Sequence, residues 1–351
     1  MRFDHSEDQR LLGDSARRLF GRSFTTPVVR RFADGGDPDP AWARDMAEAG
    51  LFGICAPPEA GGLGLGLVDA LPLLVEAGRH LVPYPLAEAI VAVRLLAGWQ
   101  DAVAVAVTDG SGRVAIAWDG EVAVAADGYA TGVLPAVAWA DQADWLLTCA
   151  GDDLVLVALD HPAVRRQALG SLDLTCRIAG VGLNAAPCRM LPGAAPLLRR
   201  LGAVLLTADM LGTAEAMLDQ TIGYLKQRRQ FGQVIGAFQS LKHIAADDAM
   251  RRESMRVALQ YAAWAVDTAA PDADIAVSVA KSYAGTAARA IAGDAVQLHG
   301  GIAYTWEFGL HLALRRIHRC AASCGGVEAH REAIAAALID RGAPHHPACA
   351  A

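Results

Sequence analysis

Several things are scarce in this chain of 351 residues. Charged residues are 20% and aromatics 6%. The formal net charge is -7, and basic residues gather in nothing longer than pairs such as Arg251-Arg252. A nucleic-acid binder carries a basic stripe, so nucleic acid is excluded as a partner. No unbroken apolar run reaches the ~18 residues of a membrane span. Leu86–Trp99 comes closest and is interrupted by Glu88 and Arg94. The start, Met1–Arg10, is polar and charged rather than signal-like. The expected location is therefore cytoplasmic, with no membrane partner. The seven cysteines (55, 149, 176, 188, 320, 324, 349) are odd in number and contain no Cys-x-x-Cys, so free thiols are expected.

What is abundant is apolar, 53% by the usual set, with much alanine. Such a chain buries a large core and favours helix. Its texture changes twice. Residues 1–98 read as helices around one long loop. Asp4 or Ser6 caps a helix over Glu7–Phe20, Asp39-Pro40 opens another over Ala41–Ala49, and Asp69–Arg79 and Pro85–Leu96 follow. Residues 99–192 turn to short apolar or alternating runs, at Ala102–Val107, Arg113–Trp118, Val122–Ala125, Trp145–Thr148 and Leu154–Leu159. Turn signals such as Asp109-Gly110, Ser111-Gly112 and Asp119-Gly120 separate them, which predicts a middle β domain of antiparallel strands. Residues 193–341 return to helix. Leu201, Leu205, Ala208, Leu211, Leu218, Ile222 and Leu225 mark one face of a long helix. Phe238–Val266, Asp272–His299 and Gly309–Ile339 supply three more, the pattern of a four-helix bundle. The tail 342–351 is expected to fray.

Two segments carry chemistry. One is Arg228-Arg229-Gln230-Phe231-Gly232, continuing to Phe238-Gln239; the other is Gln297-Leu298-His299-Gly300-Gly301-Ile302-Ala303-Tyr304, followed by Glu307. Each alone reads either as a helix end followed by a turn, or as a place where arginine, glutamine and bare backbone meet a polyanionic ligand. Spacing does not choose between these readings.

The segments sit in order on a helix–β–helix chain, and together they resemble the acyl-CoA dehydrogenase family. That family's Arg-x-x-Phe-Gly with Phe-Gln shortly after matches Arg228 to Gln239, and its Gln-x-x-Gly-Gly matches Gln297 to Gly301. Pro58-Glu59-Ala60-Gly61-Gly62-Leu63-Gly64 and Ala143-Asp144 are similar to it as well. The resemblance implies a mainly α fold with an N-terminal helical domain, a small antiparallel β domain and a C-terminal four-helix bundle. It implies FAD as cofactor, with Arg228, Gln230, Phe231, Gln239, Gln297, Gly300 and Gly301 contacting its adenosine-diphosphate half across a dimer interface. It also implies an acyl-CoA substrate and an electron-transfer flavoprotein as acceptor.

The sequence departs from the family where the chemistry happens. The family removes an α proton with a glutamate held at one of two places, which here hold Gly202 and Cys324. No Asp or Glu lies within three residues of either. Cys324 reads as a packed thiol rather than a base. Asp209, seven residues beyond Gly202 and so about 10 Å along the helix, is the weak acidic candidate. Its plainer reading is a hydrogen bond or ion pair within the bundle. Glu307 matches a family glutamate that is not the base. A zinc reading of His311, His318, Cys320 and Cys324 fails because the two pairs point roughly 100° apart on an ideal helix; no metal is expected.

The flavin-ring loop of the family is missing from the middle zone. Ala136-Val137-Ala138 stand where it has Trp-Ile-Thr, and Trp139 beside them is out of register. The pattern resembles the smaller, base-lacking subunit of heteromeric (α2β2) bacterial steroid-side-chain acyl-CoA dehydrogenases. A paralogous subunit then supplies the glutamate. Two alternatives stay open: a homomeric acyl-CoA dehydrogenase with a relocated base, and a flavin-free acyl-CoA-binding or scaffold protein.

Overall fold

The computed structural model describes residues 3–98 and 102–340, the last without its side chain. The expected frayed tail and Cys349 lie outside the described residues.

Six helices come first: α1 (Glu7–Ser23), α2 (Thr26–Ala33), α3 (Ala41–Glu48), α4 (Leu67–Arg79), α5 (Leu86–Ala97) and α6 (Ala102–Thr108). Ser6 caps α1 in a capping box with Gln9, satisfying two amides that the first turn leaves open. Helix α2 lies between the two helices read from the sequence, in a stretch for which no element was expected. Pro27 starts it, and Val29, Phe32 and Ala33 bury against the core.

Helix α6 corrects a second expectation. Residues 102–107 alternate Ala and Val, which reads as a strand. In the fold Val103, Ala104 and Val107 are buried while Val105 is 59% exposed, the spacing of a helix face. Alanine's helix propensity and packing on α5 override the period-two pattern.

The strands are β1 (Val114–Glu121), β2 (Ala123–Val124), β3 (Tyr129–Ala138), β4 (Trp145–Ala150), β5 (Asp153–Ala158), β6 (Val164–Leu169) and β7 (Ile178–Leu191). They form one sheet in the order β1-β4-β5-β7-β3-β2, with β6 also on β7. The expected antiparallel pairing has one exception, since β1 and β4 run parallel. The 14-residue β7 is also not short: its start pairs β3 and β6, and its end pairs β5.

The chain then enters α7 (Ala195–Gln227) and a two-residue-strand hairpin, β8 (Arg229–Gln230) and β9 (Gln233–Val234). Helices α8 (Gln239–Asp267), α9 (Ala273–His299), α10 (Leu310–Ala322) and α11 (Val327–Ala335) follow. The single helix expected over Gly309–Ile339 is broken between α10 and α11. Cys324 and Gly325 there take left-handed φ values of 59° and 79°, which no helix continues through.

Helix α7 is the axis of the molecule. Among the described residues it is the one helix long and apolar enough to cross a membrane, whereas the apolar run nearest to that length in the sequence is Leu86–Trp99. Of its most apolar stretch, 94% is buried among the other elements. It approaches α4 as closely as glycine permits. A Cβ on Gly78 would stand 2.0 Å from the Asp209 carbonyl oxygen, and one on Gly212 would stand 1.8 Å from that of Val75. The obstacles are backbone, so no rotamer change relieves them. Gly212→Ala is therefore expected to force α4 and α7 apart and to cost at least the ~1–3 kcal/mol typical of overpacking. Thermal unfolding of the variant beside the parent checks this; an unchanged Tm would overturn it.

Candidate functional site

Two loci matter, at different places on the bundle. The first forms where α7 and α9 end. Arg228 closes α7, its amide donating to the Tyr224 carbonyl at 2.8 Å. The hairpin turns at Phe231 and Gly232, with φ of 51° and 82°, the left-handed pair that a two-residue turn between twisted strands demands. Glycine suits the second place, but phenylalanine at the first is costly. The reward is placement: Phe231 stands 90% exposed at the tip.

The hairpin folds back onto α7 through Gly236, where a Cβ would meet the Leu225 carbonyl oxygen at 2.8 Å. Leu225, Ile235 and Leu298 then bury together, with Phe238, Leu241 and Ile244 around them. This small core joins the two signature segments, because Leu298 belongs to the second. The Tyr224 and His299 rings stack across the same seam at 4.5 Å.

Arg228, Gln230, Gln239, Gln297, Gly300 and Gly301 are all exposed beside Phe231. Nothing stands within 4 Å of where a Cβ on Gly300 or Gly301 would lie. The His299 Nδ1 faces the Ala295 carbonyl oxygen at 2.7 Å, while its buried Nε2 has no partner. Burial lowers the pKa of this ring. An unpaired guanidinium, exposed amides and bare backbone suit a pyrophosphate and its sugar. Glu307 is exposed on the following turn.

The second locus holds Gly202 and Cys324, the places at which the resemblance led us to expect the base. Gly202 and Cys324 face each other: the Cys324 Sγ lies 3.1 Å from where a Cβ on Gly202 would be. The Trp118 indole fills the remaining space, 2.4 Å from that same point. Its Nε1 donates to Glu88 Oε1 at 3.2 Å. The neighbouring Asp119 grips the break between α10 and α11, accepting from the Cys324 amide at 2.8 Å and the Gly325 amide at 2.7 Å. His330 Nε2 reaches the Cys324 carbonyl at 3.0 Å.

Burial pushes the Cys324 thiol up to about 12, although the buried Lys281 ammonium opposes the shift. A thiol so placed is neither a base nor a nucleophile near neutrality. Lys281 itself donates to the Cys320 carbonyl, and burial lowers its pKa. A surface cleft of about 550 Å³ opens outside this plug, lined by Trp118, Asp119, Arg199, Cys324 and His330 among others.

Asp209 lies on the inner side. Its two oxygens accept from Arg316 Nε at 2.8 Å and from a terminal nitrogen at 2.5 Å. Burial works to raise its pKa, but Arg316 outweighs burial and the net shift is downward. The void beside it, bordered by Glu88, Trp139, Asp209, Arg316 and Arg319, measures about 10 Å³, room for one water at most. Trp139 is buried against Phe32 at 6.1 Å between ring centres, so it presents no face to a ligand at the surface. Among the described residues no three His, Cys, Asp or Glu side chains are grouped as a metal would need.

Sequence reasoning missed Trp118, Asp119, Glu88 and Lys281. The only local signal was Asp119-Gly120, which reads as a turn. The Asp119 contacts join residues 205 and 206 apart in the chain, and those of Trp118 with Glu88 and Lys281 with Cys320 join residues 30 and 39 apart.

Residues 6–100 match the family model of the acyl-CoA dehydrogenase N-terminal domain, and residues 200–339 that of the acyl-CoA dehydrogenase C-terminal domain. Acyl-CoA dehydrogenase FadE34 of Mycobacterium tuberculosis is 33% identical over 331 residues, which are 92% of this chain and 46% of FadE34. The chain thus spans about half the length of that relative. Among solved structures, a variant of the Tcur3481-Tcur3483 steroid ACAD superposes with a TM-score of 0.90 at 30% identity, covering 97% of this chain and 99% of that one. The ChsE4-ChsE5 complex from Mycobacterium tuberculosis gives 0.87 at 26% identity, covering 96% and 99%. On the two domain matches and this near-complete likeness, the chain belongs to the acyl-CoA dehydrogenase family.

Proposed function

We propose that the chain is the base-lacking subunit of a heteromeric FAD-dependent acyl-CoA dehydrogenase. It lends the adenosine-diphosphate half of a flavin site to a paralogous subunit, and that subunit supplies the catalytic glutamate. The observation that carries this reading is the state of the base locus. Gly202 and Cys324 offer no carboxylate, and Trp118 occupies the volume where one would stand.

The chemistry that FAD supplies when bound is acceptance of the hydride from the acyl β carbon. This chain's part is to hold. Arg228 offers a guanidinium with no internal partner, Gln230, Gln239 and Gln297 offer amides, and Gly300-Gly301 let a bulky group reach the backbone. Phe231, rigid on its strained turn, gives the site an apolar wall. The alternation of Ala136-Val137-Ala138 with the buried Trp139 supports placing the flavin ring elsewhere than on this chain's own middle domain. The heteromeric reading draws on the likeness to the ChsE4-ChsE5 complex, and a steroid-derived acyl-CoA substrate on that to the steroid ACAD. An electron-transfer flavoprotein as acceptor and a cytoplasmic location complete the proposal.

Flavin stoichiometry tests it. The chain purified alone is expected to be colourless, and the complex co-expressed with its paralogue to carry one FAD per heterodimer. One FAD per protomer on the isolated chain would overturn the reading. Within the complex, Arg228→Ala removes a charge-assisted hydrogen bond worth about 1.5–3 kcal/mol, so FAD should bind on the order of ten- to a hundredfold more weakly. Equilibrium dialysis reads this directly.

The homomeric alternative assigns the base to Asp209, whose oxygens both serve Arg316. Asp209→Asn is expected to act on stability, because it strands a buried guanidinium at a cost of about 3–5 kcal/mol. Replacing the pair together, Asp209→Leu with Arg316→Met, should recover much of the loss. Denaturant unfolding of the single and double variants measures this; a stable single variant with abolished turnover would restore Asp209 as the base.

A further inference from the structure

A cavity of about 350 Å³ lies between α1, α4, α7 and α8, apart from both loci described above. It runs from the surface, beside the exposed Arg10 and Asp14, to the buried Leu259 and Gln260. Its volume falls within the range of small-molecule pockets, roughly 300–1,000 Å³. Backbone contacts on either side of α4 set this space, not loose packing. A Cβ on Gly13 of α1 would already stand 3.2 Å from the Pro72 Cβ, and Gly212 brings α7 against the Val75 carbonyl. Leu71, Pro72, Val75, Leu211 and Leu259 give the cavity an apolar wall.

The charged groups in the lining are spent on one another. Glu76 Oε1 accepts from Arg17 Nε at 3.1 Å and from a terminal nitrogen at 2.8 Å. The Glu215 oxygens accept from Arg256 at 2.7 Å and from Arg79 at 3.0 Å. Asp14 takes a third Arg17 nitrogen at 3.2 Å. The Gln9 side chain is used as well, donating to Asp69 and accepting from the Ser6 amide. Gln260 differs. It is 3% exposed, yet its side chain makes no hydrogen bond among the described residues, and its oxygen and nitrogen stay open to the cavity. His5 Nδ1 and Glu76 Oε2 in the same lining also lack partners, but they are closed off and offer nothing to a ligand. A buried amide left unpaired is costly, and no neighbour in the wall pairs with this one.

We propose that this cavity binds a small neutral molecule with an apolar body and a carboxamide-like head, a group that presents a hydrogen-bond donor and an acceptor side by side. The Gln260 side chain carries its carbonyl and its NH₂ in one plane, so it pairs with such a head through two bonds while the apolar wall takes the body. A charged head fits less well. The lining balances Arg10, Arg17 and Arg256 against Asp14, Glu76 and Glu215. A charge carried to the depth of Gln260 would lose its water without gaining a counter-ion. This assignment is independent of the heteromeric reading, since it uses none of the residues on which that reading rests.

The test follows the Gln260 side-chain amide by NMR of the isotope-labelled full chain, its signal pair identified by absence from Gln260→Leu. The ligand titrated is phenylacetamide, with phenylacetate and phenethylamine as the anionic and cationic controls on a similar body. The expected result is a saturable shift of the Gln260 pair by the amide, and binding weaker by on the order of tenfold for either control. Because the readout is that amide itself, a ligand held at the flavin half-site or the base locus leaves it unmoved. Gln260→Leu should bind phenylacetamide about tenfold more weakly by calorimetry. Without ligand it should be at least as stable as the parent, because an unpaired buried amide is gone; a structural hydrogen bond at Gln260 predicts the opposite. Val75→Phe fills the cavity from α4 and should abolish binding, which keeps the test open if Gln260→Leu does not fold. An unmoved Gln260 pair, or undiminished binding by the variants, overturns the site, and the cavity then holds water alone. Tighter binding of phenylacetate overturns the neutral head and assigns the cavity to a carboxylate drawn by Arg10.

Discussion

Arg316 touches three parts of the chain from one buried guanidinium. It bonds Asp209 on α7, the Val82 carbonyl between α4 and α5, and the Thr175 hydroxyl at 3.2 Å just before β7. Arg319, one turn on, bonds Asp173 at 2.7 Å, and Asp173 in turn holds Thr175. The N-terminal helices, the sheet and the bundle are thus registered through two arginines on α10. Charges are expensive in such a place unless every lone pair is used, and here the pairing fixes where the helix can sit. The break after α10 follows from that position, and Asp119 can reach it.

The two candidate loci then differ in a telling way. At the base locus every group is spent inside the chain: Trp118 on Glu88, Asp119 on the Cys324 and Gly325 amides, and His330 on the Cys324 carbonyl. At the α7–α9 end the reverse holds, with polar side chains and an aromatic ring directed outward and the fold spending only Leu225, Ile235 and Leu298 to hold them. A surface organised at the expense of backbone strain at Phe231, yet unsatisfied by its own chain, is built for something outside it.

Much of this was legible in the sequence wherever the cause is local. Ser6 with Gln9 declares the start of α1, the apolar spacing from Leu201 to Leu225 declares α7, and Phe231-Gly232 declares a turn. Counting from two motifs puts Gly202 and Cys324, neither of them a carboxylate, where the resemblance leads one to expect the base. What escaped has a distant cause. The alternation at 102–107 mimics a strand until the α5 surface that it covers is known. The break after Ala322 has a local sign in Gly325-Gly326, but the left-handed backbone of Cys324 has a distant cause, the pull of a carboxylate on β1. No periodicity could show that an indole from that strand fills the gap beside Gly202, or that Asp209 spends both oxygens on a helix a hundred residues away.

The fit of Trp118 against Gly202 also has an evolutionary meaning. A carboxylate introduced at position 202 collides with the ring, and removing the ring first leaves a cavity and strands Glu88. Either single step passes through a poorly folded intermediate, so placing a carboxylate there requires two changes together. Packing of this kind works as a ratchet: once the indole has settled beside Gly202, no single substitution brings a carboxylate into that space without loss of packing.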